Sequence, residues 1–280
     1  VRHGRRGPAF WLLAAFFALF VLFLYGPTLT ITVLSFQGPE GQLTFPMTGV
    51  SMHWFYNLFE RQLVGDIAGA LKRSLVLGVA VMIVTMVLAF AAGLAFRTRF
   101  RGSSVLFYVA IASLIVPSIL ISLGIGLLFR VLEIDPQWYS SAFGAHLTWT
   151  LPFGLLIMLA VFNRFDRRYE EAARDLGATP WQTIRHVVIP IVLPSLIGVG
   201  LFGFTLSYDE FARSLYTAGN FNTLPLEIYG MTTNITTPVL YALGTVTTAV
   251  SFLVIATALI AFTIIRRRRE RHGSDAGKAA

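Results

Sequence analysis

The sequence predicts an all-α integral membrane protein with six transmembrane helices and both termini in the cytoplasm. Three observations predict it. Of the 280 residues, 55% are hydrophobic and only 13% are charged, about half the charged share of an ordinary soluble domain, and the mean hydropathy is +0.70. Six apolar runs come close to the roughly 20 residues that a bilayer core requires of a helix. Between those runs the basic residues are dense in every second loop and sparse in the others.

The runs, in order, are Phe10–Phe36, Leu75–Phe96, Val105–Phe129, Phe143–Phe162, Ile191–Tyr208 and Val239–Ile265. The first follows Arg2, Arg5 and Arg6 and looks like the start of a signal peptide. It is longer than the usual apolar core of one, and no small-x-small site follows, so an uncleaved first span is expected. The chain divides into a basic segment at 1–9, a membrane domain at 10–265 with one polar loop at 163–190, and a basic tail at 266–280. One set of loops holds 17 of the 22 Lys and Arg residues; the other holds only Arg61, Lys72, Arg73, Arg130 and Arg213. The positive-inside rule puts the first set, with both ends of the chain, in the cytoplasm. The sparse loops carry the acids Glu40, Glu60, Asp66, Glu133, Asp135, Asp209, Glu210 and Glu227.

Pro27, Pro117 and Pro152 fall inside spans, where each removes a backbone donor and tends to bend the helix. Ser113 and Thr148 each stand four residues before one of these prolines, and their hydroxyls are suited to the backbone groups so freed. Ser118, Ser122 and Gly126 recur every four residues, a small-residue stripe for close contact within the chain or with a second subunit. No internal repeat is visible, so an inverted-repeat carrier gains no support.

The polar stretch YEEAARDLGATPWQTIRHVVIP, Tyr169 to Pro190, has a grammar of its own. Glu170 and Arg174 are spaced as an i,i+4 pair on a short helix. Gly177 follows where a helix would end in a left-handed residue. Thr179, Pro180 and Gln182 spell the start of a second helix as N-cap, first position and third position. Trp181, Ile184 and Val188 are expected on one face of it. Spacing alone leaves two readings open, an interfacial amphipathic loop and a docking element.

The same residues resemble a known signature. Glu171-Ala172-Ala173, then Gly177, then Val187-Val188-Ile189-Pro190 match the EAA loop of ABC importer permeases, Glu-Ala-Ala, Gly and Ile-x-Leu-Pro at the same spacing, apart from two apolar exchanges. The six-span layout, with the loop before the fifth span, is also similar to the type I importer fold. The resemblance implies a non-catalytic permease of a bacterial inner membrane. Its loop would be the coupling helix, with Glu171, Ala172, Ala173, Gly177, Thr179 and Trp181 facing a cytoplasmic ATPase. It further implies a second, related permease as heterodimer partner, two copies of the ATPase and a periplasmic or extracellular substrate-binding protein. ATP and Mg would belong to the ATPase, leaving this chain without a cofactor; no G-x-x-x-x-G-K-[ST] phosphate loop occurs in it.

Ser207-Tyr208-Asp209-Glu210 and Thr223-Leu224-Pro225-Leu226-Glu227-Ile228-Tyr229 look like permeases of spermidine/putrescine importers. Importers of amino acids or their derivatives, thiamine, iron and phosphonates share parts of this pattern. The polyamine reading implies a pathway past Tyr208, Asp209, Glu210, Glu227 and Tyr229, since carboxylates and aromatic faces both attract ammonium groups. The plainer alternative pairs the acids with Arg213 one turn on.

Other classes fare worse. Gly198, Gly200 and Gly203 spell G-x-G-x-x-G, but inside an apolar span with no strand before them, so close packing is expected rather than a dinucleotide. His53 and His146 lack companion ligands at metal spacing, and a satisfied polar role is expected. Asn234-Ile-Thr236 is a glycosylation sequon with no other secretory feature around it. The run Arg266–Arg269 directly follows a span and reads as a topology anchor beside anionic lipid rather than a nucleic-acid site. The absence of cysteine excludes disulfides and thiolate chemistry. A secondary transporter would have no need of the EAA loop, and a membrane enzyme would show catalytic side chains clustered at one depth.

Overall fold

The computed structural model describes residues 7–41, 43–58, 65–234 and 238–276. Arg2, Arg5, Arg6, Glu60, Arg61, Thr236 and Lys278 lie outside the described residues. The helices are α1 (Pro8–Leu34), α2 (His53–Asn57), α3 (Ile67–Ala95), α4 (Ser103–Ile115), α5 (Ser118–Val131), α6 (Ser141–Asn163), α7 (Arg168–Asp175), α8 (Pro180–Thr183), α9 (Ile189–Tyr208), α10 (Leu224–Asn234) and α11 (Val239–Ala276). A π turn, Ile184–Val188, joins α8 to α9, so Pro180–Tyr208 runs as one helix that begins well before the expected fifth span. No strand forms among the described residues, apart from one bridging pair at Gln37 and Val50. Helices α1, α3 and α6, the run Pro180–Tyr208, and Val239–Thr257 of α11 are each long and apolar enough to cross a membrane. α11 continues past the expected end at Ile265 to Ala276.

The chain forms two compact units, Val1–Gly65 with Gly230–Phe252, and Asp66–Tyr229 with Leu253–Ala280. In the first, the buried Gln37 carboxamide organises the irregular stretch after α1. It accepts the Thr48 N–H at 3.0 Å and donates to the Thr44 carbonyl at 3.4 Å. The Trp54 indole N–H donates to Gly38 O, and the Tyr241 hydroxyl donates to Leu43 O at 2.8 Å.

The second unit is built on α3, α6 and α9. Ala89, Met158, Phe162, Val188, Val192, Leu196 and Val199 form its main buried cluster. Lipid is as apolar as these side chains, so close packing rather than escape from solvent holds such helices together, and small residues permit it. A Cβ at Gly154 would stand 2.9 Å from the Ala89 Cβ, and one at Gly200 would stand 2.4 Å from the Met86 Sδ. Two of the three glycines of the G-x-G-x-x-G spelling, Gly200 and Gly203, thus face α3, while Gly198 faces open space. At the centre of the unit the Thr85 and Thr150 hydroxyls meet at 2.7 Å.

The third expected span, Val105–Phe129, is not one straight helix. It breaks between α4 and α5 with a bend of 108°. Val116 is extended, with ψ of 130°, because the ring of Pro117 disfavours the helical conformation in the residue before it. Hydropathy, which counts apolar residues and not backbone direction, cannot register such a break. Pro152 behaves differently and stays inside α6. The carbonyl it leaves without a donor, Thr148 O, lies 2.7 Å from the Ser113 hydroxyl of α4. Ser113 therefore serves the proline of a neighbouring helix rather than Pro117, the partner expected from spacing.

Contacts sort the termini of these helices into two ends. Arg97 beyond α3 meets Glu170 of α7 at one end. At the other, Asp66 N–H donates to Glu227, Arg73 donates to the Asn222 carbonyl, and Ser141 donates to the Thr217 carbonyl. The bent pair α4–α5 leads from the first end to the second.

Candidate functional site

The first end carries the polar corner. α7 begins with Glu170 and Glu171 in its first turn, where carboxylates suit the positive end of the helix dipole, and has Arg174 in its last. It stops at Gly177, whose φ is +82°. Gly177 N–H donates to Arg174 O at 2.8 Å and Ala178 N–H donates to Ala173 O at 3.0 Å, the paired bonds of a Schellman motif. Two residues on, Thr179 caps α8. Its hydroxyl accepts the Gln182 N–H at 3.3 Å while the Gln182 side chain accepts the Thr179 N–H at 2.8 Å. The sequence grammar of a helix, a glycine corner and a capped helix is thus realised in backbone geometry.

Two local expectations are corrected. Glu170 does not pair with Arg174. Both its oxygens are taken by Arg97, at 2.6 and 2.9 Å. Trp181 does not share a buried face with Val188. Trp181 is 65% exposed and Val188 is buried, together with Thr183. The π turn is the reason: Ile189 N–H bonds back to Ile184 O, five residues away, so an i, i+3, i+4 stripe drawn through Trp181, Ile184 and Val188 is put out of register. Glu171, Ala172, Gly177 and Thr179 are exposed and Ala173 is half-buried. Leu176 is 90% exposed, so it stands out with Trp181 as an apolar pair on a charged corner.

The opposite end is built around Arg213, which the sequence reading treated only as a possible partner of the acids. Its side chain is wholly buried. Nη1 donates to the Ser118 hydroxyl at 2.6 Å and lies 3.6 Å from Glu210 Oε2. Nε donates to the Thr148 hydroxyl at 3.3 Å, and the guanidinium carbon lies 4.4 Å from the Trp149 ring centroid. Nη2 is buried and makes no hydrogen bond among the described residues, so the indole face is its compensation. Glu210 also accepts the Arg213 N–H at 2.9 Å.

Beside it, buried His146 meets the Ser207 hydroxyl at 2.7 Å through Nδ1 and the Ser214 hydroxyl at 2.9 Å through Nε2. The small-residue stripe of α5 serves this end within the chain. The Ser122 hydroxyl donates to Arg213 O and accepts the Tyr216 N–H, and a Cβ at Gly126 would stand 2.6 Å from Tyr216 O.

The expected pathway residues therefore separate. Glu210 is tied to Arg213. Glu227 accepts from Asp66 N–H and from the Asn222 amide, at 3.1 and 2.8 Å. Tyr208 is buried and stacks on Phe204 with ring centroids 5.7 Å apart. Tyr229 packs against Phe211, centroids 4.9 Å apart. Asp209, at the C-cap of α9, is exposed. His146 and Arg97 were not singled out as site residues; their partners lie 61 to 73 residues away in sequence, beyond any local signal.

The exposed, doubly capped corner stands before the helix Pro180–Tyr208 in a domain that is all-helical among the described residues, and the chain belongs to the family of binding-protein-dependent transport system inner membrane components, whose profile matches residues 85–271. Among curated proteins it is 28% identical over 264 residues to the spermidine/putrescine transport system permease protein PotC of Haemophilus influenzae, covering 94% of this chain and 99% of that one. It is 27% identical over 231 residues to the putrescine transport system permease protein PotI of Escherichia coli K12, covering 80% of each. Among solved structures it superposes on a chain of a bacterial ABC transporter involved in import of the acidic polysaccharide alginate, with a TM-score of 0.64 at 16% identity over 95% of this chain and 99% of that one. A chain of the MetNI methionine ABC transporter gives 0.52 at 18% identity over 70% and 96%. These two likenesses speak for the fold. The protein is an inner-membrane permease component with the fold of ABC importer membrane subunits.

Proposed function

We propose that the chain is one permease half of an ATP-driven polyamine importer. The observation that carries the coupling is the corner at 168–183, which presents Glu171, Ala172, Gly177, Thr179 and Trp181 outward on a rigidly capped frame. The near full-length similarity to polyamine permeases supports the substrate class. In this reading a cytoplasmic ATPase, present in two copies, holds ATP and Mg and takes the corner into a groove. A second, related permease completes the pathway, and a binding protein delivers substrate at the Arg213 end. ATP binding opens the spans toward the binding protein; hydrolysis returns them to the cytoplasmic side. Purification of the chain with its ATPase, followed by reconstitution and assay of hydrolysis with spermidine, putrescine and an anionic control solute, tests it. Stimulation by the polyamines alone is expected, and stimulation only by the anionic solute would discard the substrate class.

The orientation follows from the basic asymmetry. Reporter fusions after Arg99 and Arg167 should report cytoplasm, and those after Asp135 and Asn222 the opposite side. A cytoplasmic signal at Asn222 would contradict it, because Asn222 shares an end with Arg73.

The polar contacts narrow the acids available to a cation. With Glu210 and Glu227 engaged, Asp209 is the carboxylate best placed to meet an ammonium group. Asp209→Asn is expected to lower spermidine uptake about three- to tenfold, the worth of roughly 1 kcal/mol of ion pairing at a half-solvated site. Putrescine, with fewer ammonium groups, should lose less. Assembly should be unaffected, and uptake equal to wild type would remove Asp209 from the pathway. Glu210→Gln should instead reduce the yield of assembled complex.

A further inference from the structure

The corner at 168–183 is joined through the chain to α6 on one side and to α9 on the other. The third helix of the core, α3, has no such connection: Arg97, just beyond it, is 73 residues from Glu170 in sequence. It is nevertheless fastened to the corner. The Arg97 guanidinium holds both oxygens of Glu170 in parallel bonds of 2.6 and 2.9 Å, and both side chains are only 12% exposed. The same guanidinium lies 5.2 Å from the ring centroids of Phe162 and Phe165, one above the end of α6 and one in the link to α7. The backbone is fastened too, as Arg167 Nη2 donates to Arg97 O at 3.0 Å.

We propose that Arg97 and Glu170 are positioning residues that make α3 and α7 one moving body, so that displacement of the corner reaches all three core helices at once. The inference rests on the coupling role proposed above and adds the route by which that displacement enters α3. Apolar packing cannot replace this route. Packed helices shear past one another by small slides, whereas a two-bond guanidinium–carboxylate fork fixes distance and angle together. Low exposure protects the pair from the screening that makes surface ion pairs nearly worthless. Glu171, Leu176 and Trp181 are exposed and lie outside this fork, so the corner keeps an open face for a partner.

The absence of cysteine allows a direct test. Lys72→Cys, near the far end of α3, and Arg168→Cys, at the start of α7, are both exposed positions and accept spin labels in the intact complex with its ATPase and binding protein. The label-to-label distance is measured without nucleotide and after trapping with Mg-ATP and vanadate. In the parent chain the distance should stay the same in both states. In Glu170→Gln it should shift or split on trapping, and transport per ATP hydrolysed should fall severalfold while the ATPase still copurifies. The charge exchange Arg97→Glu with Glu170→Arg should restore a single distance. A distance that changes in the parent chain, or that stays fixed in Glu170→Gln, overturns the proposal. So does loss of the ATPase in Glu170→Gln, which would make the pair a support for docking and nothing more. A parent chain that captures no ATPase at all would remove the coupling reading itself, and the route with it.

Discussion

Arg213→Met is expected to be the most destructive single substitution outside the apolar core, seen as a collapse in the yield of folded, monodisperse protein. The residue is 0% exposed and joins three elements, through Ser118 of α5, Thr148 and Trp149 of α6, and Glu210 beyond α9. Methionine fills much of the space but removes every donor. Ser118 and Thr148 lose a partner, and the Glu210 carboxylate, its side chain only 11% exposed, keeps the backbone N–H of residue 213 and loses its counter-charge. Removing one member of a buried pair typically costs about 3–5 kcal/mol, a large share of the stability of any domain. The pair Arg73–Asp66 provides the contrast. Its side chains are 14% and 46% exposed, and an ion pair with one member so open to solvent is worth about 1 kcal/mol or less, so Asp66→Asn, which keeps a side-chain acceptor for Gly69 N–H and leaves Arg73 on the Asn222 carbonyl, should leave the yield near wild type. Unfolding in graded detergent mixtures reads both effects. Combining Arg213→Met with Glu210→Gln should cost clearly less than the two single losses together, because the double variant buries no lone charge. Strict additivity would show that Arg213 acts by volume and not by pairing.

Much of this architecture was legible because it is written locally. Apolar run length marks the spans, and the Gly177 corner and the Thr179 capping box depend on residues within three or four positions of each other. The expectations failed where a distant partner competed with a near one. Glu170 had Arg174 one turn away, yet Arg97 offers two bonds, aromatic support and shelter from solvent, and it wins. Glu210 illustrates the opposite outcome: its near neighbour Arg213 is its partner, whereas Asp209, expected to share that arginine, forms no ion pair with it. Periodicity misplaced Trp181 because a π turn inserts an extra residue per turn that no apolar count announces. The break at Val116–Pro117 was signalled by the proline, but Pro27 and Pro152 lie within unbroken helices. What distinguishes Pro152 is the Ser113 hydroxyl at its freed carbonyl, a tertiary contact. Even the buried state of Arg213 follows from tertiary placement, since nothing adjacent in sequence marks that arginine as different from Arg130 or Arg73.

Gly177→Val should abolish transport and leave the inserted protein intact. A Cβ at Gly177 would meet no heavy atom within 4 Å, so the first added carbon has open space. The expected effect of the substitution lies in the backbone. At φ of +82° an L residue costs roughly 1–2 kcal/mol, and a β-branched one is a genuine outlier there. The cheapest relief is for residue 177 to adopt a right-handed conformation. That lengthens α7, dissolves the paired bonds from Gly177 and Ala178 to the last turn, and swings Leu176, Thr179 and Trp181 away from their present directions. The buried contacts that hold α3, α6 and α9 together lie away from residue 177, so expression, thermal stability and membrane insertion should match wild type. Copurification of the ATPase should weaken, and substrate-stimulated hydrolysis and uptake should fall together in one reconstituted preparation. Gly177→Asn separates the causes, because asparagine tolerates the left-handed region while adding a side chain of similar bulk. It should retain most of the activity. Equal loss in both variants would assign the effect to side-chain bulk at the docking face, and wild-type coupling in Gly177→Val would show that the corner is not the joint between nucleotide and membrane.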